Sequence, residues 1–310
     1  MIPFSVSIAV LSLAQGAVVT VPRALTGGPP ARKLARLRSR RWALVPPAAV
    51  IGFVLIASLA ERASADGLTY LALIAVPVLA ALALGWLAWD AGPPRPTRAL
   101  LTIPLFALAW ADRGAVPAEA AALILTALSC AALGAMLAAV TPPRWLAAGI
   151  VAMAVADTAL VASDLLQKPN NALNAAHPAA GLPQLQSAAF GSAVMGYGDL
   201  FVAGVLGALL ATAMGRRPQL HGALLTALLA LCFDLLFFFV DELPATVPVA
   251  LTLLALMARQ RGLTQTPPPT RREEARSQTR PVEGAGGRGE SSRSGSAPAQ
   301  PPAARARASP

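Results

Sequence analysis

Four aspartates, Asp157, Asp164, Asp199 and Asp234, interrupt apolar runs that otherwise carry almost no charge. No Lys or Arg falls within the cores of these runs, so none of the four can be half of a simple buried ion pair. A charged side chain in hydrocarbon costs roughly 2.5–3.5 kcal/mol on insertion scales, so such residues normally face a bundle interior or a wet cavity. Two carboxyls that share one site titrate together, one ionised and one protonated. The ionised member can then take a proton from water while its neighbour polarises a carbonyl, which is the acid–base chemistry of amide hydrolysis.

The elements that must position these acids follow from composition. The 310 residues are 55% hydrophobic and 13% charged, with a mean hydropathy of +0.59. A soluble domain carries roughly 25% charged residues, so a single core in water does not explain this chain. Its apolar residues arrive instead as long uncharged runs, near residues 2–22, 42–60, 68–89, 99–111, 118–140, 145–166, 187–214, 220–240 and 243–258. About 20 residues span a bilayer, so the pattern predicts an all-α polytopic bundle of about nine transmembrane helices in a lipid bilayer. The fourth run is short and holds Pro104. The first lacks a basic segment before it and reads as a span, not a signal peptide.

Loop charges test that count. The loops after the first, third, fifth and seventh runs carry Arg23, Arg32, Lys33, Arg36, Arg38, Arg40 and Arg41; Arg95 and Arg98; Arg144; and Arg216 and Arg217. The alternate loops carry Glu61, Arg62 and Asp66; Asp112, Arg113 and Glu119; Lys168; and Asp241 and Glu242. Positive charge therefore alternates with the loops, as an integral protein of a bacterial-type plasma membrane with an outer N-terminus and a cytoplasmic C-terminus would show. The net charge of +10 sits in the 23–41 loop and a C-terminal tail that lack aromatic stacking surface. Lipid headgroups, not nucleic acid, are its expected neighbours. Residues 1–141 form an N-terminal set of five helices and 142–261 a second set of four. The Pro-, Ser- and Gly-rich 262–310 is expected to be a disordered cytoplasmic tail. Cys130 and Cys232 lie in apolar runs and, with only His177 and His221, have no metal-ligand spacing, so no metal or other cofactor is expected.

At 1.5 Å per residue, Asp157 and Asp199 each lie about 18 Å into their runs, so consecutive antiparallel helices would bring them face to face near mid-depth. Two glycines precede the second acid in Gly196-Tyr197-Gly198-Asp199, where they permit close backbone approach or local unwinding. For Asp164 and Asp234 the plainer reading, an acid that caps a helix or binds a backbone group, is preferred.

Here the chain resembles the GxGD intramembrane aspartyl proteases, the group of presenilin and signal peptide peptidase. That family carries Tyr-Asp in its sixth span, Gly-x-Gly-Asp in its seventh and Pro-Ala-Leu opening its ninth. This chain offers Ala156-Asp157, Gly196-Tyr197-Gly198-Asp199 and Leu243-Pro244-Ala245-Thr246, in the same order. The resemblance covers residues 145–258, most closely Met195–Leu210. It implies a catalytic pair Asp157 and Asp199, a cleft shaped by Gly196, Tyr197 and Gly198, and support of site and substrate by Pro244, Ala245 and Thr246. It also implies an aspartic endopeptidase that needs no metal and acts on transmembrane segments of proteins or signal peptides. Ala156, Tyr197 and Thr246 depart from the family's usual residues, and Pro248-Val249-Ala250-Leu251 offers a second copy of the third motif.

Other readings remain open. A prepilin-peptidase-like GxGD membrane protease would use Asp164, ahead of Pro169-Asn170, with Asp199. A proton-coupled transporter would relay protons through Asp157, Asp199 and Asp234. A scaffold for membrane helices would need no chemistry. The loop from Gln167 to Ser187 reads as a connector.

Overall fold

Proline and glycine punctuate the chain where its helices begin and end. In a computed structural model, residues 2–23, 36–87, 95–111, 114–239 and 243–264 are described. Arg32, Lys33, Asp112, Arg113, Asp241, Glu242 and the predicted tail beyond Thr264 lie outside them. Among the described residues the α-helices are α1 Phe4–Thr20, α2 Val45–Leu59, α3 Glu61–Leu82, α4 Thr102–Ala111, α5 Val116–Val140, α6 Pro143–Ala162, α7 Gln167–Ala175, α8 Tyr197–Ala213, α9 Arg216–Asp234 and α10 Val247–Thr264. Proline occupies the first turn of α2, α5 and α6, where its missing N–H is no loss. Helix α8 ends with Met214 and Gly215 both donating to the Leu210 carbonyl, and Gly215 takes φ +90°, a left-handed stop that suits glycine.

Five helical stretches are long and apolar enough to cross a membrane: Arg40–Ala57, Glu61–Trp86, Val116–Val140, Pro143–Ala162 and Arg216–Phe237. Four shorter apolar helices, Phe4–Thr20, Pro96–Ala111, Tyr197–Ala213 and Val247–Gln260, fall on the remaining predicted runs. The outward faces are greasy, with Leu59 88% and Leu224 72% exposed. In a bilayer those faces meet lipid tails.

Helix α8 is the axis of the bundle, touching α1, α5, α6 and α9. Leu200, Leu206 and Leu210 on it are fully buried. Small residues set the spacing. A Cβ on Gly134 of α5 would collide with the Gly204 backbone, and one on Gly204 would lie 2.5 Å from the Cys130 carbonyl oxygen. Gly207 faces the Val19 backbone in the same way, and Gly16 of α1 rests on Ala223 and Ala227 of α9. Lipid tails offer no hydrophobic force between helices, so close packing of small residues holds such bundles together. Polar clamps add to it: the fully buried Gln219 donates to the carbonyls of Val19 and Pro22, both at 2.8 Å.

One expectation needs correction: the predicted span 187–214 is not one helix, because a short hairpin precedes the helix in an otherwise helical fold. Strands β1 Ser187–Phe190 and β2 Ala193–Gly196 pair as an antiparallel hairpin, with Ser187 opposite Gly196 and Phe190 opposite Ala193. Gly191 turns the hairpin at φ +59°, as the primed two-residue turns require. The tip is pinned on both sides: Gly191 N–H donates to Glu119 Oε2 at 2.7 Å and Ser192 N–H to Ser7 Oγ at 3.3 Å. As a result Asp199 is the third residue of α8, not the middle of a span.

Candidate active site

The hairpin's position puts the two acids at one level. Asp157 lies fourteen residues after the start of α6 and Asp199 fourteen before the end of α8. Each is therefore ~21 Å along its helix from the end that carries Arg144 or Gly215, nearer the hairpin end than mid-depth. Both line a single cavity of about 720 Å³. That volume falls in the range of pockets that enclose small ligands, roughly 300–1,000 Å³.

Each acid is held by a donor. Thr246, 1% exposed just ahead of α10, donates through Oγ1 to Asp157 Oδ2 at 2.6 Å, and its N–H reaches the same oxygen at 3.4 Å. The Gly196 N–H donates to Asp199 Oδ2 at 3.1 Å, so the acid caps the first turn of its own helix. Glycine 196 has no side chain to return the bond, and a Cβ there would sit 3.0 Å from that carboxylate oxygen. At Gly198 a Cβ would meet only Met153 Cε, at 3.9 Å, so there the missing side chain leaves room. Tyr197 lines the cavity while its hydroxyl pairs with Ser129 Oγ of α5 at 2.9 Å.

Of the residues singled out in the sequence, Asp157, Gly196, Tyr197, Gly198, Asp199, Ala245 and Thr246 line the cavity. Pro244 does not. It accepts the Val247 N–H at 3.1 Å, starting the turn into α10. Asp164 stays outside. It takes φ +60° just past α6, with Asp164 N–H on Val161 O and Leu165 N–H on Leu160 O, the two bonds of a Schellman stop. Asp234, by contrast, lines the cavity and accepts from Ser12 Oγ at 2.6 Å. The plainer reading of it as a backbone cap is therefore corrected.

Further contributions to the cavity come from residues outside the motifs. Ser12 and Gln15 reach the cavity from α1, and Gln15 Nε2 donates to the Ala245 carbonyl at 2.8 Å, fixing the segment that presents Thr246. Gln186 and the Asn170, Asn171 and Asn174 face of α7 add polar wall, so the 167–187 segment, expected to be a plain connector, builds part of the site. Among the described residues no group of three His, Cys, Asp or Glu side chains converges as a metal site would require. Two carboxyls that line one cavity, each with one oxygen occupied by a donor, leave their other oxygens for a water and a carbonyl.

No family model matches the chain, and no curated protein or solved structure matches it significantly.

Proposed function

We propose that this chain is an intramembrane aspartyl protease of the GxGD kind with nine transmembrane spans, hydrolysing a peptide bond within the transmembrane segment of another protein or a signal peptide. The observation that carries the reading is that Asp157 and Asp199, forty-two positions apart in the sequence, line one cavity. Thr246, at the position of the third family motif, supports it by binding Asp157. The ionised carboxylate takes a proton from water as the water oxygen bonds to the scissile carbonyl carbon. The other carboxylic acid donates to the carbonyl oxygen. Collapse of the tetrahedral adduct breaks the C–N bond, and the proton goes to the leaving amine.

The orientation we propose places the N-terminus outside and the C-terminus in the cytoplasm of a bacterial-type plasma membrane. Arg144 and Arg216 at the starts of α6 and α9 then face the cytoplasm, and the hairpin end, with the cavity, lies toward the outer leaflet. Asp164 at a helix stop, outside the cavity, argues against the prepilin-type pairing. Purified protein in detergent should cleave synthetic transmembrane peptides, and both Asp157→Ala and Asp199→Ala should abolish the products while remaining folded. Cleavage that survives either substitution overturns the assignment.

A further inference from the structure

The proposed dyad leaves a third acid in its cavity without a task. Asp234 closes α9, is half-buried, and points its Oδ2 at the Ser12 hydroxyl. Three residues further along the same face of α1 lies Gln15, about 5–6 Å away by helix geometry. Gln15 is fully buried, yet its Oε1 has no hydrogen-bond partner. Its orientation is fixed: the Ala245 carbonyl can only accept, so Nε2 must face it and Oε1 must face elsewhere. A second buried glutamine on the cavity wall, Gln186, repeats the pattern, with Nε2 on the carbonyls of Leu173 and Ala176 and Oε1 unpaired.

Buried polar atoms are paired in the great majority of cases, and an unpaired acceptor costs about 1–3 kcal/mol, so both glutamines call for a donor from outside the chain. Among the described residues the cavity wall supplies no cation to meet them: no Lys, Arg or His lines it, while three aspartates do. A wall that offers acceptors and negative charge fits an occupant that brings donors and positive charge.

We propose that Asp234 and the Gln15 amide oxygen form a subsite for a basic side chain, the ammonium of Lys or the guanidinium of Arg, carried by the transmembrane segment being cleaved. The subsite rests on the protease reading for its substrate but not for its chemistry. A basic residue within an apolar segment is itself expensive in lipid, and the subsite gives it a partner at the depth where the peptide bond is cut.

The test uses the full-length protein in detergent and a set of poly-Leu transmembrane peptides that carry one Lys, or norleucine in its place, at scanned positions. Cleavage is read as the ratio of kcat/KM for the two peptides. Binding is read separately by fluorescence anisotropy with the Asp199→Asn protein, which removes turnover from the measurement. At one register the Lys peptide should be favoured about tenfold in both readings, the weight of one charge-assisted hydrogen bond. Asp234→Asn keeps an acceptor for Ser12 but removes the charge, and should bring both ratios to about one. A preference that persists in Asp234→Asn, or no Lys preference at any register, overturns the subsite. If Lys peptides bind through Asp234 and nothing is cleaved, the subsite stands and the protease reading falls.

Discussion

Replacing Thr246 with valine removes one hydroxyl and almost no volume. In the wild type that hydroxyl lies 2.6 Å from Asp157 Oδ2 and is 1% exposed, so no bulk water waits to take its place. The remaining donor, the Thr246 N–H at 3.4 Å, is too long to compensate. Hydrogen bonds to charged groups are worth about 1.5–3 kcal/mol. If the bond holds Asp157 for proton transfer throughout the reaction, its loss lowers kcat about 10- to 150-fold. Thr246→Ser keeps the donor and loses a methyl, and should retain most of the rate. Both variants can be assayed on one transmembrane peptide under single-turnover conditions, with the SDS-unfolding midpoint as a check on folding. Thr246→Val within twofold of wild type would mean that the hydroxyl does not hold Asp157 for proton transfer. A serine variant as slow as the valine variant would mean the same, because packing and not the hydroxyl would then be responsible.

Three further outcomes follow from packing and backbone geometry. Gly204→Ala drives a methyl into the Cys130 carbonyl and should destabilise by about 1–3 kcal/mol in SDS unfolding, whereas Gly52→Ala, with open space around it, should change stability by no more than about 1 kcal/mol. Gln219→Leu strips the Val19 and Pro22 carbonyls of their buried donor and should cost about 1–3 kcal/mol for each group left unpaired, read by the same unfolding titration. Asp164→Gly relieves a left-handed residue, should shift stability by less than about 1 kcal/mol, and should leave cleavage intact; a dead Asp164→Gly enzyme would revive the prepilin-type pairing.

How much of this was legible in the sequence depends on the range of the interaction. Uncharged runs mark helices because backbone groups in lipid must bond within their own segment, so α5 and α6 appear close to where the runs put them. The hairpin was missed because Ser187–Gly196 is as apolar as a span, and length alone cannot tell two short strands from the start of a helix. A signal was present in Gly191-Ser192, a two-residue turn between short apolar runs. Reading it would have moved Asp199 from mid-span to the first turn of α8. Thr246 looks like a lapse from the family's leucine in one dimension, and in three it is the partner of Asp157. Ser12 and Gln15 could not have been found: their partners lie 222 and 230 positions away, and no local pattern announces such contacts.

Under the proposed mechanism Asp157 and Asp199 act as one unit, which a mutant cycle can measure. Asp157→Asn, Asp199→Asn and the double variant would be compared in single-turnover cleavage of the same transmembrane peptide. Residues that share one proton and one water should be grossly non-additive, so each single variant should lose as much activity as the double. Losses that multiply, or a single variant that still cleaves at close to the wild-type rate, would contradict a shared catalytic site.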